Sequence, residues 1–171
     1  QGGFSYKDLP KDVKPDNMLL VDDGKIVLQV KSVDEHIIDC EVVTGGELSN
    51  NKGINLLGGG LSASAVTDKD IEDMEHAASI KVDFIAISFP REANDIIKAR
   101  ERLKEFNCDA QIIAKIERAE ALNHVEAIIE ASDAIMIARG DLGVEIGDAA
   151  LPPVQKSLIK MARDMDRAVI T

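Results

Sequence analysis

The chain contains 171 residues with a formal net charge of −11, and 45% of its residues are hydrophobic. This composition predicts a globular protein rather than a disordered one. The excess of acidic residues argues against a nucleic-acid partner, because nonspecific binding requires lysine and arginine to displace phosphate counterions. The apolar runs are far shorter than the ~20 residues that span a bilayer, so we expect no membrane partner either.

The two cysteines, Cys40 and Cys108, are far apart in the sequence and lack a C-x-x-C spacing. We therefore expect two small buried thiols in a reduced, cytoplasmic protein. No basic segment followed by an apolar stretch opens the chain, which argues against a signal peptide. The chain begins with Gln1 and stops within a predicted strand at Thr171, so we expect both ends to be cut.

Residues 1–55 have a pattern typical of β-strands. The predicted strands cover residues 18–21, 25–33 and 37–43. A turn at Asp22-Asp23-Gly24 separates the first two, because Asp-Gly supplies the positive φ values of a tight hairpin, and Gly45-Gly46 closes the third. Short antiparallel strands at this spacing favour a small barrel or sandwich. Residues 57–64 contain three consecutive glycines, Gly58 to Gly60, and are predicted to form a hinge or linker rather than a phosphate loop.

After about residue 65 the pattern changes to alternating helices and strands. Thr67 and Asp70 have the spacing of a capping box, which predicts a helix from there to about Ala78. The remaining predicted strands cover 83–89, 111–116, 134–138 and 168–171, and the remaining helices cover 92–106, 119–131 and 152–165. Strand starts roughly 25 to 35 residues apart are typical of β-α units. Four such strands fit half of an eight-stranded barrel or most of an open doubly wound sheet.

The strand at 83–89 is predicted to be buried, and the helix at 92–106 is predicted to be amphipathic. Ile96, Ile97, Leu103 and Phe106 fall near one face of that helix at helical spacing. These residues are therefore the expected contacts of the helix with the sheet.

Charged residues follow two of the apolar strands. Lys115 and Glu117 stand at the end of one, and Arg139 and Asp141 follow the next. Because the carboxyl ends of parallel strands meet at one edge of a sheet, we expect these groups to come together where ligands bind in α/β folds. Glu117 and Asp141 could hold a divalent cation with substrate oxygens, or they could be helix N-caps or surface charges.

Lys115 ends an otherwise apolar strand, and a lysine in this position requires a compensating partner. It could stabilise negative charge that develops during phosphoryl or enolate chemistry, or it could form a structural ion pair with Glu117. Gly140, between Arg139 and Asp141, would let a backbone amide approach an anion, although the segment is not a dinucleotide or P-loop motif. Lys52 by itself would be a solvated loop lysine.

Five segments together resemble one known family. They are Leu20-Val21-Asp22-Asp23-Gly24, Asn51-Lys52-Gly53-Ile54-Asn55, Asp83-Phe84-Ile85-Ala86-Ile87-Ser88-Phe89, Ala114-Lys115-Ile116-Glu117, and Met136 to Ile146 with the sequence MIARGDLGVEI. In this order and spacing they resemble the pyruvate kinase family over essentially the whole chain. The last two segments are highly specific, and Ser88-Phe89-Pro90-Arg91 is similar to bacterial members.

This resemblance implies an α/β fold. Residues 1–60 would be the C-terminal part of a small all-β lid domain. Residues 61–171 would be part of a (β/α)₈ TIM barrel, about its fourth to seventh strands. The implied reaction of the whole protein is transfer of the phosphoryl group of phosphoenolpyruvate to ADP, giving pyruvate and ATP in the last step of glycolysis.

The resemblance also implies roles for individual residues. Lys115 would bind substrate and stabilise the transferring phosphoryl group and the enolate. Glu117 and Asp141 would bind Mg²⁺ or Mn²⁺, and Gly140 with Asp141 would contact the substrate. In the lid, Lys52 and Asp23 match positions that contact the nucleotide or its metal.

Other parts of the family pattern fall outside this chain. The K⁺ site and a nucleotide-binding arginine would precede Gln1, and a threonine linked to proton delivery and a regulatory domain would follow Thr171. We therefore expect the chain alone to be inactive and the whole protein to be a homotetramer. We also expect the chain to self-associate through open sheet edges.

Two other hypotheses remain at this stage. One is an enolate-forming aldolase or lyase on a related magnesium-dependent barrel, which the lid-like first segment disfavours. The other is a degenerate or split interaction module without catalytic activity. The presence of Lys115, Glu117 and Asp141 together argues against that second alternative.

Overall fold

The computed structural model describes residues 3–62 and 65–171. The chain divides into two compact units, residues 1–63 with 144–146 and residues 64–143 with 147–171. Four residues from the predicted β segment and linker, at positions 1, 2, 63 and 64, lie outside the described residues. In the described part of the chain, no helix is long and apolar enough to cross a membrane.

The first unit contains an antiparallel sheet and one short helix. Its elements are α1 (Leu9–Asp12), β1 (Met18–Val21), β2 (Ile26–Val33), β3 (Ile38–Thr44) and β4 (Ile54–Leu56). The four strands form one sheet in the order β3-β2-β1-β4. The three predicted strands are confirmed to within one residue at each end. Strand β4 and helix α1 were not predicted, because three and four residues are too few to show a period.

The predicted hairpin turn between β1 and β2 is confirmed. Lys25 N–H donates to the carbonyl of Asp22 over 3.1 Å. Asp23 and Gly24 between them have φ values of 55° and 81°, the left-handed conformation of a type I′ turn. The core beneath the sheet is made by Leu9, Val13, Leu19, Val30 and Leu56. Leu9 therefore holds α1 against the sheet.

The glycine run after β4 adopts a backbone that side-chain-bearing residues rarely take. Gly58, Gly59 and Gly60 have φ values of 86°, 82° and 106°. Nearby, Asp12 Oδ2 accepts hydrogen bonds from Tyr6 Oη over 2.6 Å and from the Ser62 backbone over 2.8 Å. These bonds join the start and the end of the unit. Hinge motion in this segment stays a prediction.

The second unit alternates helices with parallel strands. Its strands are β5 (Phe84–Ile87), β6 (Gln111–Ile116), β7 (Ala134–Ile137) and β8 (Ala168–Ile170). Its helices are α2 (Asp68–Ser79), α3 (Ala93–Glu105), a 3₁₀ helix (Glu120–His124), α4 (Val125–Ala131), α5 (Arg139–Ile146, whose last three residues group with the first unit) and α6 (Leu151–Asp164). The strands pair in chain order, β5-β6-β7-β8, and all pairs are parallel. The α/β class is therefore confirmed.

The start of α2 confirms the predicted capping box. The Asp70 amide donates to Thr67 Oγ1 over 3.2 Å, and Asp70 Oδ2 accepts from the Thr67 amide over 2.8 Å. The two bonds satisfy amides that the first helical turn leaves without partners. This local chemistry explains why the helix begins where the sequence places it.

Three predictions for this unit were wrong in part. Phe84 on β5 is 55% exposed rather than buried, because β5 is an edge strand with one neighbour. On α3, Ile96 is buried but Ile97 is 46% exposed, since consecutive helical residues point about 100° apart. Helix α5, which begins at Arg139, is not among the predicted elements. The predicted helix at 119–131 starts as a 3₁₀ helix.

The centre of the parallel sheet is held by Asp133, just before β7. Its Oδ2 accepts hydrogen bonds from the Ile112 amide over 2.7 Å and from Arg100 Nη2 over 2.9 Å. Burial raises the pKa of Asp133, but the Ile112 amide and the Arg100 guanidinium outweigh it and leave the pKa below its usual value. The ionised carboxylate thus adds a hydrogen bond between β6 and the residue that precedes β7.

Replacing Asp133 by alanine should lower the free energy of unfolding by about 1–3 kcal/mol, because the buried Ile112 amide loses its acceptor. The depressed pKa means that the ionised group stabilises the fold fully above its unfolded pKa of about 3.9. That stabilisation is lost as the pH falls through the folded pKa. Denaturant titrations from neutral pH downward should therefore show the difference from wild type shrinking in acid. Asp109→Ala, at an exposed aspartate, is the control and should change little.

The two edges of the parallel sheet should make the 171-residue chain self-associate. Phe84 on β5 and Ile170 on β8 are exposed, and unpaired strand edges promote association. Phe84→Lys should shift sedimentation equilibrium toward monomer, whereas Ile97→Lys on the outer side of α3 should not. A wild-type chain that is monomeric at all concentrations, with a cooperative melt, would contradict this prediction.

Candidate active site at the ends of the parallel strands

The strand register aligns the charged residues along one edge of the parallel sheet. The last β5–β6 pair is Ile87 with Ala114, so Ser88 stands beside Lys115. The last β6–β7 pair is Ile116 with Ile137, so Glu117 follows at the same edge from which α5 departs.

Lys115 contacts a carboxylate, that of Glu117, and a hydroxyl group, that of Ser88. Its Nζ is 2.6 Å from Glu117 Oε1 and donates a hydrogen bond to Ser88 Oγ over 2.9 Å. The side chain is 26% exposed. Its strand neighbours Ala114 and Ile116 are fully buried on the other face, which fixes the direction in which Lys115 projects. The ammonium is therefore held in place while part of it still faces solvent.

Glu117 is a fully buried carboxylate. Its Oε2 accepts a hydrogen bond from the Phe89 amide over 2.7 Å. Its Oε1 lies 2.6 Å from the Lys115 ammonium. Burial excludes the surface-charge interpretation. The predicted ion pair with Lys115 is present, and the other oxygen is held by the Phe89 amide.

The turn after β5 brings Phe89 into an unusual backbone conformation. Its φ is 55°, which is unfavourable for a residue with a Cβ by about 1–2 kcal/mol. The Arg118 guanidinium lies over its ring, 5.4 Å from the centroid, and Arg118 also pairs with Glu120 at 3.1 Å. A largely desolvated cation–π contact contributes about 0.5–2 kcal/mol and offsets that strain.

Asp141 and Gly140 lie in the first turn of α5, after β7. Asp141 is half-buried and is the third helical residue, so it is not the N-cap. A carboxylate in the first turn is stabilised by the helix dipole. Gly140 is exposed, and a Cβ added to it would meet no heavy atom within 4 Å. Space for a ligand beside this backbone is therefore available.

The residues at this edge fit a hard divalent cation. The fully buried Glu117 carboxylate and a second carboxylate, Asp141, on the next strand connection are oxygen donors of the kind that Mg²⁺ prefers. Among the described residues there is no cluster of three or more histidine, cysteine, aspartate or glutamate side chains that could hold a metal. Mg²⁺ is commonly bound by one or two protein carboxylates, the other ligands being water and substrate.

The candidate nucleotide contacts belong to the first unit. Lys52 Nζ lies 2.8 Å from Asp22 Oδ1, and Lys25 Nζ lies 3.1 Å from Asp22 Oδ2. These two lysines, Lys52 first, hold the pKa of Asp22 below its usual value, and Asp22 in turn raises the pKa of Lys52. Lys52 is therefore not simply a solvated loop lysine. Its ion-pair partner is Asp22, and the nucleotide contacts of Lys52 and Asp23 stay a prediction.

Comparison with known proteins identifies the family. The model of the pyruvate kinase barrel domain matches residues 3–171. This chain belongs to the pyruvate kinase family. It is 58% identical to pyruvate kinase from Buchnera aphidicola subsp. Schizaphis graminum, 56% to that from Haemophilus influenzae and 55% to pyruvate kinase II from Salmonella typhimurium. Each alignment covers 99% of this chain but 36% of the relative, so the chain spans about a third of those proteins.

Two groups at the site were missed by sequence reasoning. Ser88 and the Phe89 amide contact Lys115 and Glu117 directly, yet they were quoted only as part of a family-like segment. Their position immediately after β5, beside Lys115 at the same edge of the sheet, is the sequence signal that could have indicated their role. A backbone amide carries no side-chain signature, so the role of Phe89 could emerge only from the fold.

Replacing Glu117 by glutamine should weaken Mn²⁺ binding by the 171-residue chain at least about tenfold, because it removes a buried anionic oxygen donor. Electron paramagnetic resonance of free Mn²⁺ measures this affinity without any catalytic assay. Glu126→Gln, at an exposed glutamate on α4, controls for nonspecific attraction to the acidic chain. Equal affinities of wild type and Glu117→Gln would argue against this cation site.

Proposed function

We propose that the whole protein containing this chain transfers the phosphoryl group of phosphoenolpyruvate to ADP. The observation that carries the proposal is the buried Glu117 carboxylate held beside the Lys115 ammonium at the end of β6, with Asp141 following the neighbouring strand. In the reaction, the bond from phosphorus to the enol oxygen breaks, and a bond to a terminal phosphate oxygen of ADP forms. The enolate left behind takes a proton and becomes pyruvate.

Lys115 would stabilise the negative charge of this step. An ammonium group has three N–H donors, of which one is directed to Ser88. The exposed part of the side chain leaves donors for the phosphoryl oxygens and the enolate oxygen. Preorganised positive charge in a partly desolvated site is worth far more than in water, because it need not reorganise as the reaction proceeds.

Glu117 and Asp141 would hold Mg²⁺ or Mn²⁺ in this proposal. When bound, the cation supplies Lewis-acid stabilisation of the enolate and phosphoryl oxygens. The two carboxylates supply anionic oxygen donors: Glu117 follows β6, and Asp141 lies in the first turn of α5, after β7. The Phe89 amide orients one of them, because it fixes Glu117 Oε2.

The N-terminal turn of α5 would position the substrate. Gly140 allows close approach of an anion to the backbone, and Asp141 would contact the substrate as well as the cation. In the first unit, Lys52 and Asp23 would contact the nucleotide or its metal. This unit would serve as a lid that excludes water, which otherwise competes with ADP for the phosphoryl group.

The family likeness supports several further parts of the proposal. The parallel unit would supply about the fourth to seventh strands of a (β/α)₈ barrel, and residues 1–60 would supply part of the lid. The whole protein would use K⁺ at a site outside this chain, assemble as a homotetramer and act in the cytoplasm. The chain by itself would be inactive, since it spans about a third of its relatives.

The proposal predicts that pyruvate formation depends on both ADP and Lys115. In the full-length protein, Lys115→Met should lower kcat by about 10²–10³-fold, the usual effect of losing one preorganised donor to a developing anion. Lys98→Met, at an exposed lysine on α3, should have no effect. The assay couples pyruvate to lactate dehydrogenase, with and without ADP.

Two outcomes would contradict the proposal. Turnover that does not require ADP would favour an enolate-forming lyase, and a Lys115→Met enzyme as fast as wild type would remove Lys115 from the chemistry. The 171-residue chain assayed alone should show no turnover under the same conditions.

A further inference from the structure

Two consecutive residues at the end of β6 hold Phe89, one by its backbone and the other by its side chain. Glu117 Oε2 accepts a hydrogen bond from the Phe89 amide over 2.7 Å. The guanidinium of Arg118, the next residue, lies 5.4 Å from the centroid of the Phe89 ring. Phe89 therefore attaches the turn after β5 to the end of β6 through two separate contacts.

Phe89 needs this support because its backbone conformation is unfavourable. Its φ is 55°, which residues with a Cβ rarely adopt. Pro90 follows it, and a residue before proline prefers an extended conformation with negative φ. This angle links the direction of the Phe89 amide to the course of the chain toward α3. Because α3 is anchored by buried residues such as Ile96 and Leu103, a relaxed Phe89 would turn its amide away from Glu117.

The Arg118 guanidinium is itself held in place. Arg118 is largely buried, and its Nη1 donates a hydrogen bond to Glu120 Oε1 over 3.1 Å. Glu120 is the first residue of the 3₁₀ helix that follows β6. A desolvated guanidinium gains more from an aromatic ring than an exposed one does, and its planar group suits stacking on the ring. The contact can therefore stabilise a strained turn.

We propose that Arg118 is a positioning residue for the cation site: it packs over the Phe89 ring and so maintains the left-handed turn whose amide orients the Glu117 carboxylate. The inference rests on the cation-binding role of Glu117 stated under the proposed function. Removing a group that orients a metal ligand commonly lowers metal affinity by about 10–100-fold. Arg118 acts one step further away, through Phe89, so its effect is smaller.

Hydrogen exchange and Mn²⁺ affinity of the full-length protein test this inference. Without metal, Arg118→Met should speed exchange of the Phe89 amide by about three- to thirtyfold, which corresponds to the loss of one cation–π contact. Mn²⁺ affinity, measured by electron paramagnetic resonance, should fall about three- to tenfold. Loss of a positive charge next to Glu117 would by itself strengthen cation binding, so the sign is diagnostic. Arg102→Met, at an exposed arginine that also pairs with a glutamate, is the matched control and should change neither quantity.

Phe89→Gly should rescue the Arg118→Met variant. Glycine keeps the backbone amide and adopts a φ of 55° without strain, so the turn no longer needs the contact with Arg118. Phe89→Leu removes the ring but keeps the Cβ and every charge, and it should weaken Mn²⁺ binding as Arg118→Met does. Combining Phe89→Leu with Arg118→Met should cause no further loss, because both remove the same contact. Thermal melts check folding, and Phe89→Leu replaces Arg118→Met should that variant not fold.

The outcomes separate this inference from the proposed function. Wild-type exchange and Mn²⁺ affinity in Arg118→Met would overturn the inference, and so would tighter Mn²⁺ binding or weaker binding that Phe89→Gly does not restore. In those cases Glu117→Gln still loses Mn²⁺ and the cation site stands. If Glu117→Gln binds Mn²⁺ normally, the cation site itself fails, and the role of Arg118 at that site fails with it even where exchange of the Phe89 amide is faster.

Discussion

A carboxylate buried away from water must have its charge balanced by its neighbours. Glu117 is such a carboxylate, because it is fully buried. Its balance comes from the Lys115 ammonium on one oxygen and the Phe89 amide on the other. Lys115 comes from the same strand as Glu117, but the Phe89 amide is in place only because β5 and β6 pair in parallel and end at the same level. The parallel register is therefore a requirement of the site as well as a feature of the fold.

The two members of the Lys115–Glu117 pair differ in burial, because the Glu117 carboxylate is fully buried whereas the Lys115 side chain is 26% exposed. A structural ion pair would be expected to satisfy both carboxylate oxygens, because an unsatisfied buried polar atom destabilises the fold. Here the Lys115 ammonium lies against one oxygen and the Phe89 amide bonds the other, while Phe89 itself holds a strained backbone conformation. Backbone strain of this kind, maintained by its surroundings, is typical of functional sites.

The first unit shows a different electrostatic arrangement, in which two lysines share one carboxylate. Asp22 accepts two lysines, Lys25 and Lys52, at the base of the β1–β2 turn. The two lysine side chains are 34% (Lys52) and 69% (Lys25) exposed although Asp22 is only 13% exposed, and ion pairs whose lysines reach solvent contribute little to stability because solvent screens them. Lys52 can therefore leave Asp22 at small cost, and an incoming phosphate group would need to compete only with one carboxylate. This suits a contact that forms when a ligand arrives.

Local chemistry in the sequence determined most of the secondary structure. The capping residues Thr67 and Asp70, the Asp-Gly turn at Asp23 and the apolar run of β6 each act over a few residues, and each was predicted close to its observed position. Short elements such as α1 and β4 were missed because they contain less than one clear period. Helix α5 was missed because its glycines lower helix propensity, and tertiary context overrides that preference.

The sequence by itself determined the α/β class, the family likeness and the presence of Lys115, Glu117 and Asp141 at strand ends, because hydrophobic periodicity and motif spacing are local properties of the chain. Only the tertiary structure decided which groups meet there. The Ser88 hydroxyl and the Phe89 amide come from a strand 27 and 28 residues earlier than their partners Lys115 and Glu117. Exposure of Phe84 and Ile97 was likewise decided by strand order and helix packing. Hydrogen-bond partners and burial depend on long-range pairing, which no local pattern encodes.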